Sequence, residues 1–292
     1  ECVAWAVRFG LAEGAVAAAR VARIRSGSCA AHTYADGSEA RVLLGAKLIT
    51  WLFLFDDAYG EGGRSRDLRG LMGTLASYET TWRSGRPPHD ATPYHRALLD
   101  LRDEAIALGA DDGWLLRFGD SLARYFDGCQ LEFTHRQADT VPSVADYRRL
   151  RAWSIGTYPV FDLIDLDGAP RLALEDAHHP ALLRLRERAA LLCAWVNDVY
   201  SYEKERDSAD PLNLVAVLRT DYGLSETDAY LAAAEVFNAD LETFEAEVDR
   251  LGSALPGPAV VAFVDGLRQW IHGNFTWTAL CRRYGNGAHE PS

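Results

Sequence analysis

Positive charge is in short supply. The chain carries 30 Lys and Arg against 42 Asp and Glu, a formal net charge of −12 at pH 7. That balance argues against nucleic acid and against an anionic membrane surface as partners. Any site for a polyanion must then be made locally positive, by metal ions or by clustered Arg and Lys. Cysteine is sparse too: Cys2, Cys29, Cys129, Cys193 and Cys281 show neither CxxC nor zinc spacing, so reduced core thiols are expected. The single methionine is Met72, so the chain starts without an initiator and is expected to be trimmed. There is no basic n-region, and no apolar run approaches a membrane span, so membrane insertion is not expected and a cytoplasmic location is the default. No convincing period-2 run, internal repeat or dividing linker is present. The expected architecture is one all-α domain over residues 1–292.

What is present supports a large core. Hydrophobic residues make up 48% of the chain, and eight Trp supply aromatic faces for a core or a pocket. Helical spacing runs through residues 3–24, interrupted by Gly10 and Gly14, and residues 25–37 read as a connection. From Ser38 to Phe55 the pattern is apolar nearly all round, which predicts a buried helix. Further helical segments are expected at about 65–84, 92–109, 113–138, 143–166, 181–206, 211–219, 225–252 and 257–284. Gly156 and Pro159 predict a break within the segment at 143–166, because Pro159 lacks an N–H and disfavours helix at Tyr158.

Two polar clusters interrupt this apolar material. The first, Asp56-Asp57-Ala58-Tyr59-Gly60-Glu61, puts three carboxylates at the end of the buried helix. A helix C-terminus is already negative, so acids gathered there call for a cation. Gly60 would loosen the last turn and let Asp56 and Glu61 converge. The second, Asn197 to Glu205, follows the apolar run Leu191 to Val196. Asn197, Ser201 and Glu205 fall at i, i+4 and i+8, drifting only about 40° per step. One stripe therefore offers an amide, a hydroxyl and a carboxylate, hard oxygen donors suited to Mg²⁺ that shares its sphere with substrate phosphates. Lys204 lies on the same stripe and could meet a phosphate. A solvated polar face and an ordinary acidic loop are the plain alternatives for the two clusters.

Together they resemble the bacterial class I terpene synthases, whose DDxx(x)D/E motif pairs with a downstream (N/D)Dxx(S/T)xxxE motif. Here these stand as Asp56-Asp57-x-x-x-Glu61 and Asn197-Asp198-x-x-Ser201-x-x-Lys204-Glu205. Trp51-Leu52-Phe53 looks like the family's aromatic lead-in. Arg151, 46 residues before Asn197, stands where bacterial members place the arginine that senses diphosphate. Trp277 and the Arg283-Tyr284 pair look like the closing motif. The resemblance implies a helical bundle around a central apolar cavity. It implies three Mg²⁺ ions, with Mn²⁺ as a substitute, held by Asp56, Glu61, Asn197, Ser201 and Glu205, and with Asp57 in the metal network mostly as support. It also implies diphosphate contacts from Arg151, Lys204, Arg283 and Tyr284, and it allows a homodimer. Metals and charge-assisted hydrogen bonds would neutralise the leaving diphosphate as the allylic C–O bond ionises. Phe53, Trp195 and Trp277 are candidates for cation–π stabilisation of the cation left behind, beside a plain core role for each. The segment after Arg151 departs from the family, with Ser154 as linker and Ile155 where a small residue is usual.

The expected reaction is cyclisation of a linear isoprenyl diphosphate. Bulky Phe53, Ile155, Trp195 and Trp277 favour a C15 cavity, whereas Gly128, Ala152 and Gly273 could open room for C20. Most bacterial relatives with these motifs use farnesyl diphosphate, so C15 is expected and C20 is the alternative. A chain-elongating prenyl synthase would carry a second Asp-rich motif. A catalytically silent isoprenoid-binding protein would have lost a ligand. Glu132-x-x-His135 and Glu175-x-x-His178 imitate di-iron pairs, but the further bundle glutamates are not evident.

Overall fold

The computed structural model describes residues 1–59, 67–167, 170–207 and 210–280, and among these there is no strand. Helices α1 (Cys2–Arg8), α2 (Gly14–Ile24) and α3 (Ser26–Thr33) lead into α4 (Glu39–Tyr59). Then follow α5 (Leu68–Ser84), α6 (Pro93–Ala107), α7 (Asp112–Ala138), α8 (Val144–Ser154) and α9 (Thr157–Phe161), which runs into a 3₁₀ turn at Asp162–Asp165. The last are α10 (Leu174–Ala177), α11 (Pro180–Asp207), α12 (Leu214–Tyr222), α13 (Glu226–Ala254) and α14 (Pro258–Leu280). Side-chain caps set several starts: Asp67, Asp111, Ser143, Asn213 and Ser225 each accept from a backbone N–H two or three residues on.

Helix α4 is buried on two faces for two purposes. Trp51, Phe55 and Tyr59, spaced by four, stack into an aromatic cluster with Tyr78 and Tyr94, with Trp51 and Phe55 ring centroids 4.8 Å apart. Ile49, Phe53 and Asp56, spaced by four and then three, share another face and line a cavity. Helix α11 contacts α8, α12, α13 and α14, so it separates that cavity from a second apolar cluster behind it.

One expectation changes and another holds. Residues 25–37 are not a plain connection, because α3 lies there with Cys29, Ala30 and Thr33 buried. It packs on α4 and α14, and Gly273 of α14 approaches the His32 backbone so closely that a Cβ would overlap it. The Ser-Gly-Ser start hides a helix that tertiary packing enforces. The break after α8 is where Gly156 and Pro159 predict it. Gly156 adopts φ of 74°, and Pro159 sits in the first turn of α9, where its missing N–H is not needed. Below the break, buried Arg117 and Arg186 both pair with Asp162, and Arg117 also pairs with Asp165. These charge-assisted contacts fix the turn under the cavity.

Candidate active site

The cavity lies between α3, α4, α7, the α8–α9 break, α11 and α14, and holds about 1110 Å³ of empty space with its open mouth included. Its apolar wall comes from Ile49, Leu52, Phe53, Ile155, Val160, Trp270 and Trp277. The Phe53 and Trp277 rings are 6.0 Å apart.

Polar groups gather at one end. Asp56, Glu132, Arg136, Arg151, Asn197, Lys204, Glu205 and Asp210 all line it. Arg151 is the centre. Its Nε donates to Asp198 Oδ1 at 2.9 Å and its Nη2 to Asn197 Oδ1 at 2.8 Å, while Glu132 lies 3.6 Å from Nη1. Burial opposes the guanidinium charge, but Asp198, then Tyr147 and Glu132, more than offset it and raise its pKa. Asp198 itself is buried and also accepts from the Tyr147 hydroxyl and the Leu214 N–H. Arg136 pairs with Glu132 and Asp210, each at 3.0 Å, and burial is again outweighed so that its pKa is raised.

Among the described residues, charge at this end does not balance. Asp56, Glu132, Asp198, Glu205 and Asp210 count −5 when ionised, against +3 from Arg136, Arg151 and Lys204, leaving −2. Burial, then Asp198, push the Glu205 carboxyl from 4.5 to about 7, against hydrogen bonds from Asn213 and Ser201 and the pull of Arg151. A cluster of hard oxygens suits a divalent cation. Among the described residues no three Asp, Glu, His or Cys side chains converge on one point. The oxygen donors are instead divided between α4 and α11.

The expected site residues fall into distinct sets. Asp56, Arg151, Asn197, Lys204 and Glu205 share the polar end, with Phe53 and Trp277 on the wall. Ser201 is buried one turn before Glu205, with its hydroxyl 3.5 Å from the Asp198 carbonyl. Asp57 does not face the cavity. It turns to Arg20 of α2, 2.9 Å away, one step round α4 from Asp56. Glu61, Arg283 and Tyr284 lie outside the described residues.

Trp195 is a correction. It stands two residues before Asn197, about 200° round the helix, and so faces away from the cavity. Its indole N–H donates to Asp240 at 2.7 Å, and Arg148 covers its ring at 5.6 Å. Gly128, Ala152 and Gly273 do not open the cavity either. Gly128 admits the α8 backbone at Ser154, Ala152 is buried in the second cluster, and Gly273 admits α3. Glu132 is no di-iron ligand here, since it holds Arg136 while His135 turns to Thr140. Asp198, Asn213, Tyr147, Arg136 and Asp210 are additional members of the site. Only Asp198 stood inside a motif; the others meet it through contacts distant in sequence.

An all-α bundle with an aromatic-walled cavity, and with arginines and oxygen donors at one end, defines a helical enzyme for an amphiphilic anion. A family model described as "Terpene synthase family 2, C-terminal metal binding" matches residues 47–243. The (+)-T-muurolol synthase of Roseiflexus castenholzii is 31% identical, over 97% of this chain and 86% of that protein. The 10-epi-cubebol synthase of Sorangium cellulosum is 29% identical, over 97% of this chain and 91% of its own. Among solved structures, a-eudesmol synthase has a TM-score of 0.83 at 21% identity, covering 96% of this chain and 92% of that one. The linalool/nerolidol synthase of Streptomyces clavuligerus has a TM-score of 0.82 at 23% identity, covering 95% and 93%. At these identities the solved structures share the fold. The chain belongs to the bacterial class I terpene synthases. It is an enzyme of that family, and the matched region takes in α4 from Lys47 onward and all of α11.

Proposed function

We propose that this enzyme cyclises farnesyl diphosphate with release of diphosphate, using Mg²⁺ at the polar end of the cavity. The observation that carries the reading is the placement of Asp56, Asn197, Glu205 and Arg151 at one end of an apolar, aromatic-walled cavity. The relative from Roseiflexus castenholzii is named for cyclising (2E,6E)-farnesyl diphosphate, as is the 4-epi-cubebol synthase of Streptosporangium roseum at 29% identity. The three small residues that could have opened a longer cavity are used in helix packing, which removes the sequence argument for C20.

The residues fit a divalent cation: the donors are hard oxygens, and among the described residues lining this end carboxylates outnumber cations. Asp56 would hold metal from α4, and Asn197, Ser201 and Glu205 from α11. When bound, three Mg²⁺ ions would supply charge neutralisation for the leaving diphosphate. Arg151 presents a planar fork suited to two phosphate oxygens, and Lys204 supplies a point charge. The apolar wall excludes water from the allylic chain, and Phe53 and Trp277 offer π faces to positive charge as it moves.

The test is one series of incubations with geranyl, farnesyl, geranylgeranyl and geranylfarnesyl diphosphates, with and without Mg²⁺. The expected result is highest kcat/KM with farnesyl diphosphate, a cyclic C15 product and no turnover after exhaustive chelation. Preference for the C20 substrate would overturn the chain-length assignment. Undiminished diphosphate release without metal would overturn the mechanism.

A further inference from the structure

Asn213 has no exposed surface, although it lies at the start of α12 and outside both acidic motifs. Its side chain makes three hydrogen bonds. Nδ2 donates to the Asp198 carbonyl at 2.7 Å and to Glu205 Oε2 at 2.8 Å, and Oδ1 accepts from the Val215 N–H at 2.9 Å. Only one orientation of the amide satisfies all three, because a flipped group would set its oxygen against a carbonyl and a carboxylate.

Capping α12 explains the oxygen and nothing more. Ser, Thr or Asp would cap as well, with no N–H groups to bury. A desolvated amide nitrogen is costly unless both of its protons are matched. Here they are matched, one by α11 backbone and one by the Glu205 carboxylate. The neighbours on either side tie the same segment to the same helix. The Tyr147 hydroxyl donates to Asp198 Oδ2 at 2.7 Å and lies 3.1 Å from the Leu212 carbonyl, and the Leu214 N–H donates to Asp198 Oδ2 at 3.0 Å. Residues 212–214 form a bracket on α11: Leu212 itself lines the cavity, and Asn213 holds Glu205, which lines it too.

We propose that Asn213 is a positioning residue that fixes the Glu205 carboxylate in the orientation needed to hold a divalent cation. This rests on the reading of Glu205 as a metal donor. A glutamate has three side-chain torsions to immobilise, and a partner that locks them beforehand removes that cost from the binding step. Without Asn213, Glu205 would still be present and ionisable and would keep its Ser201 hydrogen bond, but the metal would have to supply more of its ordering.

The test compares wild type, Asn213→Ser, Glu205→Gln and the double variant. Ser keeps a capping oxygen and loses the amide donor. Calorimetry measures binding of inorganic diphosphate with Mg²⁺, and thermal melting measures the fold. Asn213→Ser is expected to weaken Mg²⁺-dependent diphosphate binding by roughly 10–100-fold, as removal of an outer partner of a metal ligand does. Raising Mg²⁺ should restore turnover in that variant. In the Glu205→Gln background, Asn213→Ser should weaken binding no further, whereas a loss of melting temperature through the cap would persist. Equal weakening in both backgrounds, or wild-type affinity in Asn213→Ser, overturns the proposal. If wild type binds no diphosphate with Mg²⁺, the metal reading itself fails, and this inference with it. Should Asn213→Ser not fold, a crystal structure of wild type with Mg²⁺ and diphosphate decides. The Asn213–Glu205 contact must persist while Glu205 ligates metal, and its loss overturns the idea.

Discussion

Arg151 Nη2 and Asn197 Oδ1 are joined by a 2.8 Å hydrogen bond, so the expected diphosphate sensor and an expected metal donor are partners before any ligand arrives. The same guanidinium serves Asp198, which is buried and needs it. Arg151→Ala would leave that carboxylate without its ion partner, and breaking a buried pair from one side costs roughly 3–5 kcal/mol. The variant should therefore lose stability in urea titration as well as turnover. Arg151→Lys keeps a charge without the fork, so it should regain part of the stability and little of the activity.

Asp56→Ala, Asn197→Ala and Glu205→Ala should each reduce turnover by more than about 100-fold, the upper range for losing an outer partner of a ligand. Far-ultraviolet circular dichroism should show the helices retained. Wild-type rates in all three across a Mg²⁺ titration would show that these donors do not hold the metal.

A pH effect follows from Glu205, whose carboxyl is held at about 7. Between its ordinary 4.5 and that value the folded protein keeps a proton that the unfolded chain releases. Stability from this group is present below about pH 4.5 and is lost as pH rises through 7. The melting temperature of the metal-free protein should carry a component that falls over this window, and Glu205→Gln, which stays neutral, should lack it. Scanning calorimetry in chelator at several pH values reads both. Mg²⁺ selects the carboxylate, so its affinity should rise across the same window.

Phe53→Ala and Trp277→Ala should change the product pattern more than the rate of diphosphate release. Their rings meet on the wall, 6.0 Å apart, where they can face a cation formed after ionisation. Gas chromatography beside a diphosphate assay separates the two effects. An unchanged product ratio in both variants would make the rings ordinary wall packing.

Much of this was legible because helices repeat. The spacing of 197, 201 and 205 announced a single stripe, and the apolar run before it announced burial. The same periodicity could have excluded Trp195, which stands two residues from Asn197 and must point elsewhere. Asp57 needed more than spacing. Its partner Arg20 is distant in sequence and becomes visible only when α2 meets α4. Asn213 was hidden for a related reason: the chain must reverse after α11 before its amide can reach Glu205. Helix α3 was obscured by Ser26, Gly27 and Ser28, whose weak propensity is overridden by the contacts of α4 and α14.

Gly128 and Gly273 separate the mould from its frame. A Cβ at residue 128 would come within 2.5 Å of the Ser154 nitrogen, and at 273 it would overlap the His32 carbonyl, so at both crossings backbone lies against backbone. Helices in such contact cannot slide to accommodate a new guest, because interiors at this density yield little. The cavity's contour is therefore written in protruding side chains such as Phe53, Ile155 and Trp277. A lineage carrying this scaffold can explore new carbon skeletons one wall residue at a time, while bulk at the two glycines disturbs the frame that every skeleton shares.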